Sequence, residues 1–242
     1  MIFKICNSVF PNNVLFFSTP KIIDGGFSTG EYDNFNLAVH TNDNLDNVIN
    51  NRQLLIDKYN LPNEPKWLNQ IHSDNCVIAD ELETIQDADA SITRKDGIVC
   101  AVLTADCLPI FATDKIGGIV GVCHAGWQGI LNGVIENFIE KMQVQPENIL
   151  IHFGVAIGQQ SLELNEDIYQ QFIKKNDNYQ VAFMQKNNKY YLDIYQIATL
   201  ILNSKGVKKI SGGGLDTKTG DYFSYRRQGA NSGRHAHLIW KI

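Results

Sequence analysis

Apolar residues along this chain recur in two periods, and each period predicts a different element. Between 44 and 60, Leu45, Val48, Ile49, Ile56 and Tyr59 lie largely on one face of a 3.6-residue repeat, so a helix is expected with Asn44 as its cap. The stretches 98–103, 108–112 and 119–124 are short apolar runs broken by Asp and Gly, the pattern of buried strands. Helical spacing returns over 128–142 through Leu131, Val134, Ile135, Phe138 and Met142. A strand over 149–153 and a helix over 165–175 follow, then a hairpin over 181–193 turning at Lys186-Asn187-Asn188. A helix over 194–204 is stopped by Gly206, and a glycine-rich loop leads from Gly212 to about 233. A final strand, 234–241, alternates Ala236, Leu238 and Trp240 against His235, His237 and Ile239. Strands and helices mix without strict βαβ alternation. This predicts an α/β (α+β) fold with a mixed β-sheet core flanked by helices.

The chain has 242 residues and shows no internal repeat or Pro/Ser-rich linker, so one domain over 1–242 is expected. With 44% hydrophobic and 19% charged residues it reads as a soluble globular protein, and no apolar run reaches membrane-helix length. A net charge of −5 argues against nucleic acid or an anionic membrane as the main partner. The five cysteines, Cys6, Cys76, Cys100, Cys107 and Cys123, are odd in number and lack CxxC spacing. With no secretory leader read in the sequence, they suggest reduced thiols and a cytoplasmic protein.

Three stretches each place one metal-type ligand at a turn-like position: Asn69-Gln70-Ile71-His72, Ala105-Asp106-Cys107 and His124-Ala125-Gly126-Trp127. Two histidines and a cysteine suit zinc, and three protein ligands leave one position open. Their separations of 107 − 72 = 35 and 124 − 107 = 17 residues give no local reason for them to meet. A core histidine, a packing tryptophan and a buried thiol explain the same residues without chemistry. Alternation along 119–124 sets His124 on the face of Val120 and Val122, away from Cys123. A second concentration lies at 221–234, where Arg226 and Arg227 suggest a phosphate or carboxylate clamp and Phe223 and Tyr225 offer rings for stacking. An exposed loop with its arginines paired to surface acids is the competing reading. His235 and His237 are left outside the site, as strand residues expected to be exposed.

The chain resembles the multi-copper polyphenol oxidase (laccase-like) family, also described as purine nucleoside phosphorylases and related to a vertebrate laccase-domain-containing protein. The resemblance rests on Gly25-Gly26 through Tyr32, Asn36-Leu37, Asn69 to His72, Ala88-Asp89-Ala90, Thr104 to Pro109 and His124 to Trp127. It continues through Gly154 to Gly158, Phe223 to Arg227 and Ile239-Trp240, nearly end to end. It implies a metal site at His72, Cys107 and His124, with zinc or copper, and catalytic roles for Cys107 and His124. It further implies substrate contacts from Asn36, Gln70, Trp127, Phe223, Tyr225, Arg226 and Arg227. The implied activity is phosphorolysis of adenosine, inosine and methylthioadenosine, with adenosine deamination as a second activity. The chain departs from the family pattern at Gln128, where arginine is common, and at Gln159, Asp216 and Gln228.

A four-copper laccase needs many histidines, largely in HxH pairs, and this chain has 6 with one such pair. The alternatives are a metal-free Cys107–His124 hydrolase or deamidase, a single-copper phenol oxidase, and a non-catalytic nucleoside-binding regulator.

Overall fold

The computed structural model describes residues 9–242. In chain order its elements begin with strand β1 (Val14–Ser18), helix α1 (Leu45–Tyr59), β2 (Cys76–Ile78), β3 (Ala90–Thr93) and β4 (Cys100–Thr104). They continue with β5 (Leu108–Asp114), β6 (Val120–Ala125), α2 (Trp127–Asn132), α3 (Val134–Met142) and β7 (Ile149–Phe153). Then come β8 (Glu163–Leu164), α4 (Glu166–Lys175), β9 (Phe183–Lys186), β10 (Lys189–Leu192), α5 (Ile194–Ser204), β11 (Lys209–Gly212), α6 (Tyr225–Gln228) and β12 (His235–Lys241). The fold is mixed α/β, as the alternation of patterns predicts. No helix among the described residues is long and apolar enough to cross a membrane.

Strands β11-β7-β5-β6-β3-β2 form a six-stranded mixed sheet, and β1-β12-β4 form a smaller antiparallel one. The two-residue period of a strand sorts their side chains into layers. Val120 and Val122 of β6, Phe111 of β5, Cys100 and Val102 of β4 and Ile239 of β12 share one core between the two sheets. The opposite faces of β4 and β12 (Ala101, Leu103, Ala236, Leu238, Trp240) pack with Leu55 of α1. The opposite faces of β5 and β6 (Ile110, Ala112, Cys123) pack under α3 and α5 through Phe138, Ile197 and Ile201. The order of layers is therefore helix, small sheet, large sheet, helices. Phe111 is fully buried at the seam, where truncation to alanine costs about 3–5 kcal/mol.

Local signals explain the element ends. Asn44 caps α1 by accepting from the backbone N–H of Asp46 and Asn47. The single helix expected over 128–142 is broken instead at Gly133, whose φ of 108° ends α2 and starts α3. The expected hairpin turns at Asn187 and Asn188, both left-handed (φ 52° and 58°), as a two-residue turn requires. The expectation that His235 and His237 are exposed is corrected: both are buried, because β12 is the middle strand of a sheet covered on both faces. Cys76, Cys100, Cys107 and Cys123 are free thiols, whereas Cys6 lies outside the described residues.

Candidate functional site

The two sheets exchange the chain between β4 and β5, and Cys107 sits on that crossing. Asp106 holds the crossing in a left-handed conformation, φ 98°. Its buried carboxylate accepts from the Thr217 hydroxyl at 2.6 Å and from the Arg226 backbone N–H at 2.7 Å. Its carbonyl accepts from the Ile157 N–H at 2.8 Å. Three distant loops are thus tied to the turn that carries the thiol.

His124 lies one residue before the end of β6, on the face that points into the seam. Its backbone N–H donates to the Asp89 carbonyl, and its Nδ1 lies 2.7 Å from Asp89 Oδ1. The same fully buried carboxylate receives the backbone N–H groups of Ile71, His72 and Ser73, at 3.3, 3.1 and 2.6 Å, and the Ser73 hydroxyl at 2.7 Å. His72 itself is left-handed, φ 59°, a conformation those bonds hold in place. One aspartate therefore fixes the ring of one histidine and the backbone of the other.

The donor atoms of His72, Cys107 and His124 all lie within 4.8 Å of one another, and this is the one such His/Cys/carboxylate group among the described residues. Two details suit a metal ion. His72 Nδ1 is buried without a hydrogen-bond partner among the described residues, an expensive state for a ring nitrogen unless a ligand takes it up. Gly126 leaves the meeting point clear: a Cβ there would come 2.6 Å from His72 Nδ1 and 2.8 Å from Cys107 Sγ. Burial and the neighbouring His124 hold the His72 imidazole below its ordinary pKa. Burial also works against charge on His124, but Cys107 and the Asp89 carboxylate outweigh it and push that pKa up to about 9. Asp89 is held low despite its burial by the bonds from His124 and Ser73.

The three donors face a cavity of about 400 Å³, within the range of small-molecule sites. Ile157, Leu162 and Ile194 give it an apolar wall, and Tyr225, Arg226 and Arg234 line another part. Of the residues expected to touch substrate, Gln70, Trp127, Tyr225 and Arg226 line this cavity. The Gln70 amide is engaged twice by Leu103, donating to its carbonyl at 2.8 Å and accepting from its N–H at 2.7 Å, so it ties the His72 loop to β4.

Three expected contacts lie elsewhere. Phe223 is fully buried against the His235 ring, 4.9 Å between centroids, and its N–H donates to His235 Nε2 at 2.8 Å. The Arg227 guanidinium donates to the carbonyls of Thr217, Lys218, Gly220 and Tyr222, cross-linking the loop before α6. Asn36 is buried, with Nδ2 on Thr41 and Asp43 and with Oδ1 accepting from the backbone N–H groups of Ala38 and Arg234. Asp89, Arg234 and His40 are the residues of this region that sequence reasoning did not select. Asp89 lay in view between two alanines, and a lone carboxylate in an apolar strand start was the available signal.

The chain that carries this fold and this group falls within a known family. The multi-copper polyphenol oxidoreductase laccase family model matches residues 17–242, and the chain belongs to that family. Among its relatives is the purine nucleoside phosphorylase YfiH of Escherichia coli (strain K12), 40% identical over 235 residues and aligned over 96% of each chain. A purine nucleoside phosphorylase of Haemophilus influenzae is 37% identical over 95% of each. The crystal structure of a Neisseria meningitidis protein superposes with a TM-score of 0.90 at 38% identity, covering 96% of both chains.

Among the described residues, the His72, Cys107 and His124 group is the one set of side chains placed to hold an ion, so the family's descriptive name finds no second cluster there. Of the other histidines, His40 lines the cavity apart from the three-donor group, His152 packs against Phe16 and Phe111 and bonds Ser211, and His235 and His237 are enclosed by backbone and hydroxyl partners.

Proposed function

We propose that this chain, acting as one domain over 1–242, is a metal-dependent purine nucleoside phosphorylase that converts adenosine, inosine or methylthioadenosine plus phosphate into free base and pentose-1-phosphate. Adenosine deamination is the second activity of the same cavity. The observation that carries this reading is the convergence of His72, Cys107 and His124 on a cavity with an apolar wall and a guanidinium-bearing one. Identity of about 40% to named purine nucleoside phosphorylases supports the choice of reaction.

His72 Nδ1, Cys107 Sγ and His124 Nε2 would hold the ion, zinc or copper. When bound, that ion supplies Lewis acidity toward an oxygen at its open position. Asp89 keeps a proton on His124 Nδ1, which leaves the Nε2 lone pair for ligation. The apolar wall excludes water from the glycosidic bond. Trp127 and the half-exposed Tyr225 offer ring faces to the purine. Phe223, Asn36 and Arg227 act from behind, by holding the loops.

The test is to incubate purified, metal-analysed protein with inosine or adenosine, with and without phosphate, and to follow free base and pentose-1-phosphate. Turnover at the full rate in a metal-free His124→Ala protein would sink the metal part. The Asp89–His124–Cys107 line also favours one competing reading, a Cys–His hydrolase. Phosphate-independent turnover abolished by alkylating Cys107 in metal-free protein would select it.

A further inference from the structure

Two guanidiniums line the cavity, and among the described residues neither forms an ion pair with a carboxylate. The surface cations of Lys21, Lys95, Lys175 and Lys241, by contrast, all do. In a chain of net charge −5, a cavity that keeps two cations unpaired is set up for an anion.

Both arginines are also held in advance. The Arg234 backbone N–H donates to Asn36 Oδ1 at 3.0 Å, and its Nη1 is engaged by the carbonyls of Ser232 and Gly233. The guanidinium lies 5.7 Å from the centre of the Tyr225 ring. That leaves the Nε–Nη2 edge without a partner among the described residues, the edge whose two parallel N–H groups match a tetrahedral oxyanion. Arg226 is registered to the ligand turn, because its backbone N–H bonds the carboxylate of Asp106, next to Cys107. Its Nη1 donates to the Glu163 carbonyl at 3.0 Å, and its remaining side-chain donors have no partner among the described residues. Burial disfavours the Arg234 charge, and its neighbours Cys107 and Asp106 work against that effect.

We propose that Arg234, with Arg226 beside it, forms the phosphate subsite of this cavity, taking two oxygens of the anion on the Nε–Nη2 edge of Arg234. This rests on the phosphorylase reading and deepens it. It also reassigns the clamp expected of Arg226 and Arg227: Arg234 replaces Arg227, whose donors are consumed by loop carbonyls. The same edge would accept the phosphate of a nucleoside monophosphate, so free phosphate and nucleotide must be tested separately.

The experiment uses metal-loaded wild type, Arg234→Ala and Arg234→Lys, matched for metal content and thermal midpoint. Phosphate is varied at saturating inosine, then inosine at saturating phosphate. The expected result in Arg234→Ala is a rise of about tenfold or more in the KM for phosphate, the scale of a lost charge-assisted bidentate contact, with the KM for inosine nearly unchanged. Arg234→Lys should recover part of the loss. An unchanged phosphate KM, or a rise confined to inosine, overturns the subsite and leaves the phosphorylase reading standing. Calorimetric titration with inorganic phosphate alone reads the subsite independently of turnover. Binding weakened in Arg234→Ala supports it even if the reaction proves to be another, and equal binding in both proteins overturns it. If inosine monophosphate, but not free phosphate, loses affinity in Arg234→Ala, the edge serves a nucleotide and the proposal fails.

Discussion

The two sides of the cavity are built on opposite rules. On the ligand side, buried carboxylates saturate the backbone: Asp89 takes up four donors from the His72 loop besides His124, and Asp106 takes up Thr217 and Arg226. His72 Nδ1 stays unsatisfied there among the described residues. On the arginine side, the backbone is equally anchored but side-chain donors are left over, and Tyr225 is half exposed. The ligand side is thus shaped to hold one small occupant in fixed geometry. On the phosphorylase reading, the arginine side would receive and release a larger one. Rigid support beneath uncommitted donors is what binding a turning-over substrate requires.

The most severe way to break this contrast is to remove a ligand. Cys107→Ser or His124→Ala is expected to abolish metal retention and lower kcat/KM on the order of a thousandfold, as several kcal/mol of lost charge stabilisation implies. Elemental analysis beside the phosphorolysis assay checks it.

Acid should break the other side. His235 is buried and neutral, its pKa forced by burial down to about 4, and its Nε2 accepts the Phe223 N–H that starts the arginine loop. Unfolded histidine binds its proton near pH 6.5 while the folded one does not. Stability is therefore complete above pH 6.5 and falls as the pH drops toward 4, by about 3 kcal/mol from this residue. His237, held well below its ordinary value, adds to the loss in the same direction. Denaturant unfolding at pH 7 and 4.5 reads the total, and proteolysis near 215–233 preceding global unfolding would localise it.

A milder change sharpens the comparison on the ligand side. Asp89→Asn keeps the shape but confuses the donors, and should weaken metal affinity about 10–100-fold in a chelator competition, with the fold retained. The smallest effect is expected at the mouth. Gln128→Arg adds a cation beside the cavity and should lower the phosphate KM by a few-fold at low salt, with the gain shrinking as salt is raised.

What the sequence disclosed follows from how local each signal is. Helices α1 and α5 and strands β5, β6 and β7 carry their period within a dozen residues and were legible. β2 and β8 are three and two residues long, too short for any period to show. The break at Gly133 was concealed because apolar spacing runs straight across it. At the site, ligand-type residues were legible as types, but Asp89 lies 35 residues from His124 and nothing local couples them. The adjacent arginines part for a geometric reason, Arg226 lining the cavity and Arg227 bonding loop carbonyls. Consecutive residues on a helix diverge by about 100°, so Arg226 and Arg227 on α6 do not face one target. Asp216, a departure from the family pattern, accepts from Ser161 at 2.7 Å and from the Lys218 N–H, so it staples a loop behind the cavity.

The crossing of Cys107 between the two sheets also bears on how the chain reaches its final state. The ties that complete the site span 35, 120 and 198 positions of sequence, from Asp89 to His124, Asp106 to Arg226 and Asn36 to Arg234. Contacts of such reach close late, after the entropy of the intervening loops has been overcome. An ion offered during refolding should accordingly leave the early phases untouched and bind in the last one, so that its capture times the docking of one sheet on the other.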